Sequence, residues 1–115
     1  MKIYLAGPMR GYKDFNFPAF HEAAARLRLE GHTVFSPAER DIELYGEEMF
    51  KSETGNLAEI IAKGFSVRQA LYEDMKYICL EAEGIAMLPG WERSSGSQPE
   101  HRLAVALELD MIYLT

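Results

Sequence analysis

Two short stretches of this chain hold residue types that do chemistry at useful spacing. The first is Gly7-Pro8-Met9-Arg10-Gly11. Gly7 and Gly11 permit a tight turn with open backbone N–H groups, and Arg10 between them is able to pair with a phosphate. The stretch matches neither the Walker A loop nor the G-x-G-x-x-G dinucleotide loop. Taken alone, it also reads as a plain chain reversal with a solvated arginine. The second is "PGWERSSGSQPEHRLA", Pro89 to Ala104, in which Ser94, Ser95, Gly96 and Ser97 lead to one carboxylate, Glu100. Ser97 and Glu100 have the spacing of a capping box, with Glu100 reaching back to the Ser97 N–H. A carboxylate in a first helical turn is also kept ionised by the helix dipole, which suits a nucleophile. The two roles are compatible. Ser94 is placed to donate to a phosphate or sugar oxygen.

Other candidates read two ways. Asp74, within "YEDMKY", is either an acid at the site or a solvated helix carboxylate with Lys63 and Lys76 nearby. Tyr12 and Trp91 are loop aromatics that either stack on a base or pack back on the fold. His21, His32 and His101 lack metal-ligand spacing, so no metal is assigned. Cys79 is the only cysteine. It excludes an intramolecular disulfide, fits a reducing cytosol, and reads as a core residue on the buried side of its helix.

The elements that must position these groups follow from hydrophobic periodicity. "KIYLA", Lys2 to Ala6, is a strand stopped by Gly7-Pro8. Phe17 to Leu29 is a helix with Phe17, Phe20, Ala24 and Leu27 on one face, Asn16 as its cap, Pro18 in its first turn and Gly31 at its end. His32 to Phe35 is a second strand ended by Ser36-Pro37. Arg40 to Ser66 is polar and yields only one or two short helices. Val67 to Ala82 is a helix striped by Val67, Leu71, Met75, Ile78 and Ala82. Ile85 to Leu88 is a third strand, Pro99 to Leu109 a helix carrying Leu103, Ala106 and Leu107, and Met111 to Leu114 a last strand. Apolar strands alternating with amphipathic helices predict an α/β fold, a parallel sheet of four to five strands with helices on both faces. In such folds ligands bind outside the carboxyl ends of the strands. The loops Gly7–Asn16, Ser36–Asp41 and Pro89–Glu100 are expected to meet there.

The whole chain of 115 residues fits one domain, residues 1–115, and a core without staples. Its net charge of −6 and the lack of a basic patch argue against a nucleic-acid polymer as partner. A small phosphorylated ligand remains compatible, since local N–H groups and one arginine suffice to hold it. No apolar run reaches the roughly 20 residues of a membrane span, and the N-terminal run is too short for a signal peptide. A cytoplasmic, membrane-free protein is expected.

"YLAGPMRG", an Asp on the helix before the third strand, and "PGWERSSGSQPEHRLAVAL" together resemble the nucleoside 2-deoxyribosyltransferase superfamily, in its DUF4406 branch. Related members include 2'-deoxynucleoside 5'-phosphate N-hydrolases. The likeness covers about Met1 to Glu39 and Val67 to Leu109. It implies a flavodoxin-like, Rossmann-like sheet, a nucleophilic Glu100 and an assisting acid at Asp74, with Glu83 at the position of a second family Asp. It further implies a 5'-phosphate held by Ser94 and by Gly7, Arg10 and Gly11. Met9, Asn16, Phe17, Pro89, Gly90, Trp91 and Gly96 are expected to complete the substrate site. The implied reaction is N-glycosidic cleavage of a nucleotide, by hydrolysis or transfer, with no cofactor and no metal, in a homodimer or larger homo-oligomer. The alternative is a non-catalytic nucleotide-binding module, a sensor or sponge.

Overall fold

Lys2–Ala6 forms β1, in which Ile3, Tyr4, Leu5 and Ala6 are fully buried. Burial of consecutive residues means that both faces of the strand are covered, as a parallel α/β sheet requires. The computed structural model describes residues 1–115. After β1 come α1 (Phe17–Leu29), β2 (Thr33–Phe35), α2 (Pro37–Tyr45), α3 (Leu57–Ala62), α4 (Val67–Leu80), β3 (Gly84–Met87), α5 (Ser97–Ala106) and β4 (Asp110–Tyr113). Short 3-10 turns lie at Lys13–Asn16, Glu47–Phe50 and Trp91–Arg93. The four strands pair in the order β2-β1-β3-β4, all parallel. Ile3 stands opposite both Val34 and Gly84, and Ile85 opposite Met111. The architecture is consistent with a flavodoxin-like fold.

Alternate residues of β1 feed two cores. Ile3 and Leu5 pack with Phe17, Phe20, Ala24 and Leu27 of α1. Tyr4 and Ala6 pack with Ile78 of α4 and Ala104 of α5. The strand order reverses between β1 and β3, so the crevice of the fold opens beyond Ala6 and Met87. The two loops leaving there touch closely at Gly7, where a Cβ would come 2.7 Å from the Leu88 Cβ.

Several expectations need correction. Ser36–Asp41 is not a loop: Pro37 starts α2, because its fixed φ and missing N–H suit a first helical position. Asn16 sits before α1 but caps nothing; it has φ +63° and its side-chain amide donates to the Pro8 carbonyl at 2.9 Å. In α5, Ala106 and Leu107 are exposed, and the inward face is Ser97, Glu100 and Ala104. The helix runs from Ser97 to Ala106 rather than from Pro99 to Leu109, so Leu107 lies just past its end. Leu71 of α4 is exposed as well. Cys79 is exposed rather than core: Ile78, its neighbour, takes the sheet-facing position of α4. No helix is long and apolar enough to cross a membrane.

Candidate functional site

Tyr4 is a polar side chain in an otherwise apolar, fully buried strand. A buried hydroxyl needs a partner, and Tyr4 donates to Glu100 Oε2 at 2.5 Å. Glu100 is 6% exposed, in the first turn of α5. The capping box therefore does not form. Ser94 takes the capping position: its Oγ accepts from the Ser97 N–H at 3.2 Å and from the Ser97 hydroxyl at 3.0 Å. Glu100 is left free to face inward, and the Ser94 hydroxyl hydrogen is left for a ligand.

The inward side is a cavity of about 120 Å³. Tyr4, Asp74 and Glu100 line it together with Gly7, Met9, Arg10, Phe17, Ser94 and Gly96. Phe15, Phe20, Phe50, Ile60 and Phe65 form its apolar wall. A second, polar cavity of about 290 Å³ shares Arg10, Ser94 and Gly96 with it and adds Pro8, Tyr12, Gly90, Arg93 and Ser95. The site thus has an apolar part, called the inner cavity, and a polar part with two arginines, called the outer.

Not every expected residue is there. The Gly11 N–H donates to the Gly55 carbonyl at 3.0 Å, so it is not open to a phosphate. The Asn16 side chain is held by Pro8. Pro89 and Trp91 line a separate groove beside Tyr113. There the Trp91 ring stacks on His101 with centroids 4.2 Å apart, and it does not line the cavity. Glu83 accepts from the Lys2 N–H at the other end of the sheet. Asp74 is half-buried at the cavity, not solvated beside lysines.

Three residues escaped sequence reading: Tyr4, Asp41 and Arg93. The only signal for Tyr4 was a hydroxyl in a strand with nothing local to satisfy it. Asp41, in α2, is 7% exposed and lines the inner cavity. Arg93 is in the 3-10 turn before Ser94 and lines the outer one. The unreadable segment Arg40–Ser66 supplies Asp41, Phe50, Leu57, Ile60 and Phe65 to the inner wall.

The charges of the site follow from its dryness. Burial, then the Asp74 charge, pushes Glu100 up to about 8, against the pull of the Tyr4 hydroxyl. Burial pushes Asp74 up to about 7, again opposed by Tyr4. Burial and Asp74 push Asp41 up to about 8. Tyr4 is held well above the usual phenol range by burial and by both carboxylates. Carboxyls that share one dry cavity cannot all ionise, so protons are shared among them near neutrality.

This has a measurable consequence for stability. Between about pH 4 and pH 8 the folded chain binds more protons than the unfolded one, because all three acids are raised. Raising the pH then favours unfolding. The melting temperature is expected to fall steadily from pH 5 to pH 9, measured by scanning calorimetry at constant ionic strength. Glu39, lowered by the Arg28 guanidinium, acts only below that window. A flat or rising profile contradicts the burial of the three acids.

Residues 1–113 match the family described as a domain of unknown function, DUF4406. The chain belongs to the DUF4406 family. The match runs through every element of the DUF4406 fold described above, including Arg40–Ser66. No curated protein and no solved structure matches the chain. Within this DUF4406 chain the groups capable of bond chemistry converge on the sheet's switch point, the place where doubly wound folds bind ligands.

Proposed function

We propose that this DUF4406 protein cleaves the N-glycosidic bond of a 2'-deoxynucleoside 5'-monophosphate through a covalent glycosyl-Glu100 intermediate. The observation that carries the reading is the Tyr4–Glu100 hydrogen bond in a cavity shared with Asp74 and adjoining the arginine- and serine-lined pocket at Arg10, Ser94 and Gly96. The base lies in the apolar inner cavity and the 5'-phosphate outside it, on Arg10, Arg93 and Ser94. The sugar between them is presented to Glu100. The deoxy sugar rests on the resemblance to the nucleoside 2-deoxyribosyltransferase superfamily.

Each step needs a definite proton. Glu100 attacks C1' as the C1'–N bond breaks, and the bonding pair leaves with the base. Asp74 gives its proton to the base as it departs. Water then adds to C1', returns its proton to Asp74, and frees Glu100, the retaining sequence of a carboxyl pair. Nucleophile and acid require opposite protonation states. Positive charge developing at C1' draws Glu100 to its ionised form, and the Tyr4 hydroxyl and the start of α5 stabilise that charge. The proton is left on Asp74, the less buried and less strongly raised of the two acids, as Glu100 ionises. Tyr4 acts through Glu100 as a positioning residue.

A non-catalytic nucleotide-binding module is the second reading. It is favoured by the burial that raises both Glu100 and Asp74. One experiment separates the two. The four common deoxynucleoside monophosphates and their ribo counterparts are incubated with the protein, and free base is read by chromatography. Release from a deoxynucleotide is the expected result. No release, with a thermal shift on adding one nucleotide, transfers the weight to the binding module.

A further inference from the structure

Asp41 has no part in the steps above, yet it is the least explained acid of the molecule. It is 7% exposed, lines the inner cavity, and makes no hydrogen bond within the chain. Its helix neighbour Arg40 does not neutralise it, because that guanidinium reaches Glu43 at 3.3 Å and Glu73 at 3.6 Å. Its oxygens are not among the fully buried unpartnered atoms, so they meet the cavity space, and a largely desolvated carboxyl with no protein partner costs stability. The cost is understandable where a ligand completes the missing bonds, and Asp41 faces the space that the phenylalanines enclose.

We propose that Asp41 reads the leaving base, its carboxyl meeting the hydrogen-bonding edge of a nucleobase set among Phe15, Phe17, Phe50 and Phe65. The proposal rests on the N-glycosidic reading of the site and names the group that selects its substrate. The titratable groups that line the cavity with Asp41 are Tyr4 from β1, Arg10 from the first loop, Asp74 from α4 and Glu100 from α5, and of these Asp74, beside Glu73, acts on its charge. Burial, the larger cause, pushes its carboxyl up to about 8, so it is mostly neutral at pH 7 even when Asp74 carries the proton. A neutral carboxyl offers one donor and one acceptor side by side. It therefore pairs with a base edge that has an acceptor next to a donor: a ring N–H beside a carbonyl, or a ring nitrogen beside an amino group. It refuses a base methylated on that edge, because the site's own polar atoms are then left unpaired. Asp74 keeps the proton transfer, and Asp41 sets which base arrives in register to receive it.

The test is kcat/KM for the deoxynucleoside monophosphates and an edge-methylated analogue, measured with wild type, Asp41→Asn and Asp41→Leu. The amide of Asn keeps one donor and one acceptor; Leu keeps neither. Asp41→Asn is expected to retain the order of preference with a rate lower by several-fold. Asp41→Leu is expected to lose about 30-fold on the best base and to level the differences between bases, the cost of one lost buried hydrogen-bond pair. Melting curves at pH 7 show that both variants fold. A merely structural role would lower every base by one factor, and that result, or unchanged ratios, overturns the role of Asp41 while the N-glycosidic reading stands. Wild type that releases no base from any nucleotide removes that reading and this proposal together.

Discussion

Glu100→Gln is expected to lower base release at least about 10³-fold, the loss typical of removing a covalent nucleophile. The same variant is expected to melt higher than wild type at pH 9 and about the same at pH 5. The two effects share one cause. Glu100 is buried in a cavity with Asp74, so its ionised form is costly in the folded protein. The raised acid leaves stability intact below its unfolded pKa of roughly 4.5 and erodes it as the pH rises through about 8. Gln keeps the shape and still accepts from the Tyr4 hydroxyl, and it has no charge to bury. The gain is on the order of 1–3 kcal/mol at pH 9, less than a bare one-site shift implies because Asp74 and Asp41 share protons with Glu100. Activity is read by chromatography and stability by calorimetry on the same preparation. Retained base release removes Glu100 as nucleophile. An unchanged melting difference between pH 5 and pH 9 contradicts its burial as an acid.

The second large effect lies outside the cavity. Gly55→Ala is expected to destabilise the fold by roughly 2–4 kcal/mol and to weaken nucleotide binding by about 10-fold or more. Gly55 has φ +65°, where a side chain is strained. A Cβ there would lie 2.3 Å from the Tyr12 carbonyl oxygen and 2.7 Å from the Tyr12 nitrogen. These are backbone atoms, so the loop itself must move. That loop bears Arg10 and runs into three successive left-handed residues, Asp14, Phe15 and Asn16. It is clamped by Gly11 N–H to the Gly55 carbonyl, Asp14 N–H to the Ser52 carbonyl at 2.6 Å, and Ser52 N–H to Asp14 Oδ1 at 2.9 Å. Breaking the clamp at Gly55 releases the left-handed turn and with it the placement of Arg10. Gly64→Ala is the control: its φ is +103°, but nothing lies within 4 Å of the added Cβ. It is expected to cost about 1 kcal/mol and to leave binding alone. A melting temperature about 8–16 °C lower for Gly55→Ala follows from that loss. Equal effects of the two substitutions exclude the clamp.

Much of the fold was legible because its signals are local. β1 and α1 coincide with the residues read from periodicity, since a strand bounded by Gly-Pro and a helix bounded by Pro18 and Gly31 carry their own boundaries. Arg40–Ser66 was opaque for the opposite reason. Its helices are short, of nine and six residues, and are held by packing of Phe50 and Ile60 rather than by a long apolar stripe. Ser97-x-x-Glu100 shows how a local rule loses. The motif fits a capping box, but the Ser97 N–H donates to Ser94 and the carboxylate accepts instead from the Tyr4 hydroxyl of β1.

From the sequence alone come the alternation that demands a parallel sheet, the loops at its carboxyl edge, and Arg10, Ser94 and Glu100 as candidates by residue type and short-range spacing; Asp74 read as a solvated helix carboxylate and became a candidate only through the family resemblance. Tertiary structure decided which of them share one cavity. Tyr4 and Glu100 are 96 residues apart in the chain, and Asp41 reaches the site from a helix of only nine residues, too short to be read from its sequence. It also decided that Trp91 turns away to His101 and that Gly11 gives its N–H to Gly55. Hydrogen-bond partners and burial depend on which strands lie side by side, and a linear pattern records which faces are apolar but not what each one meets.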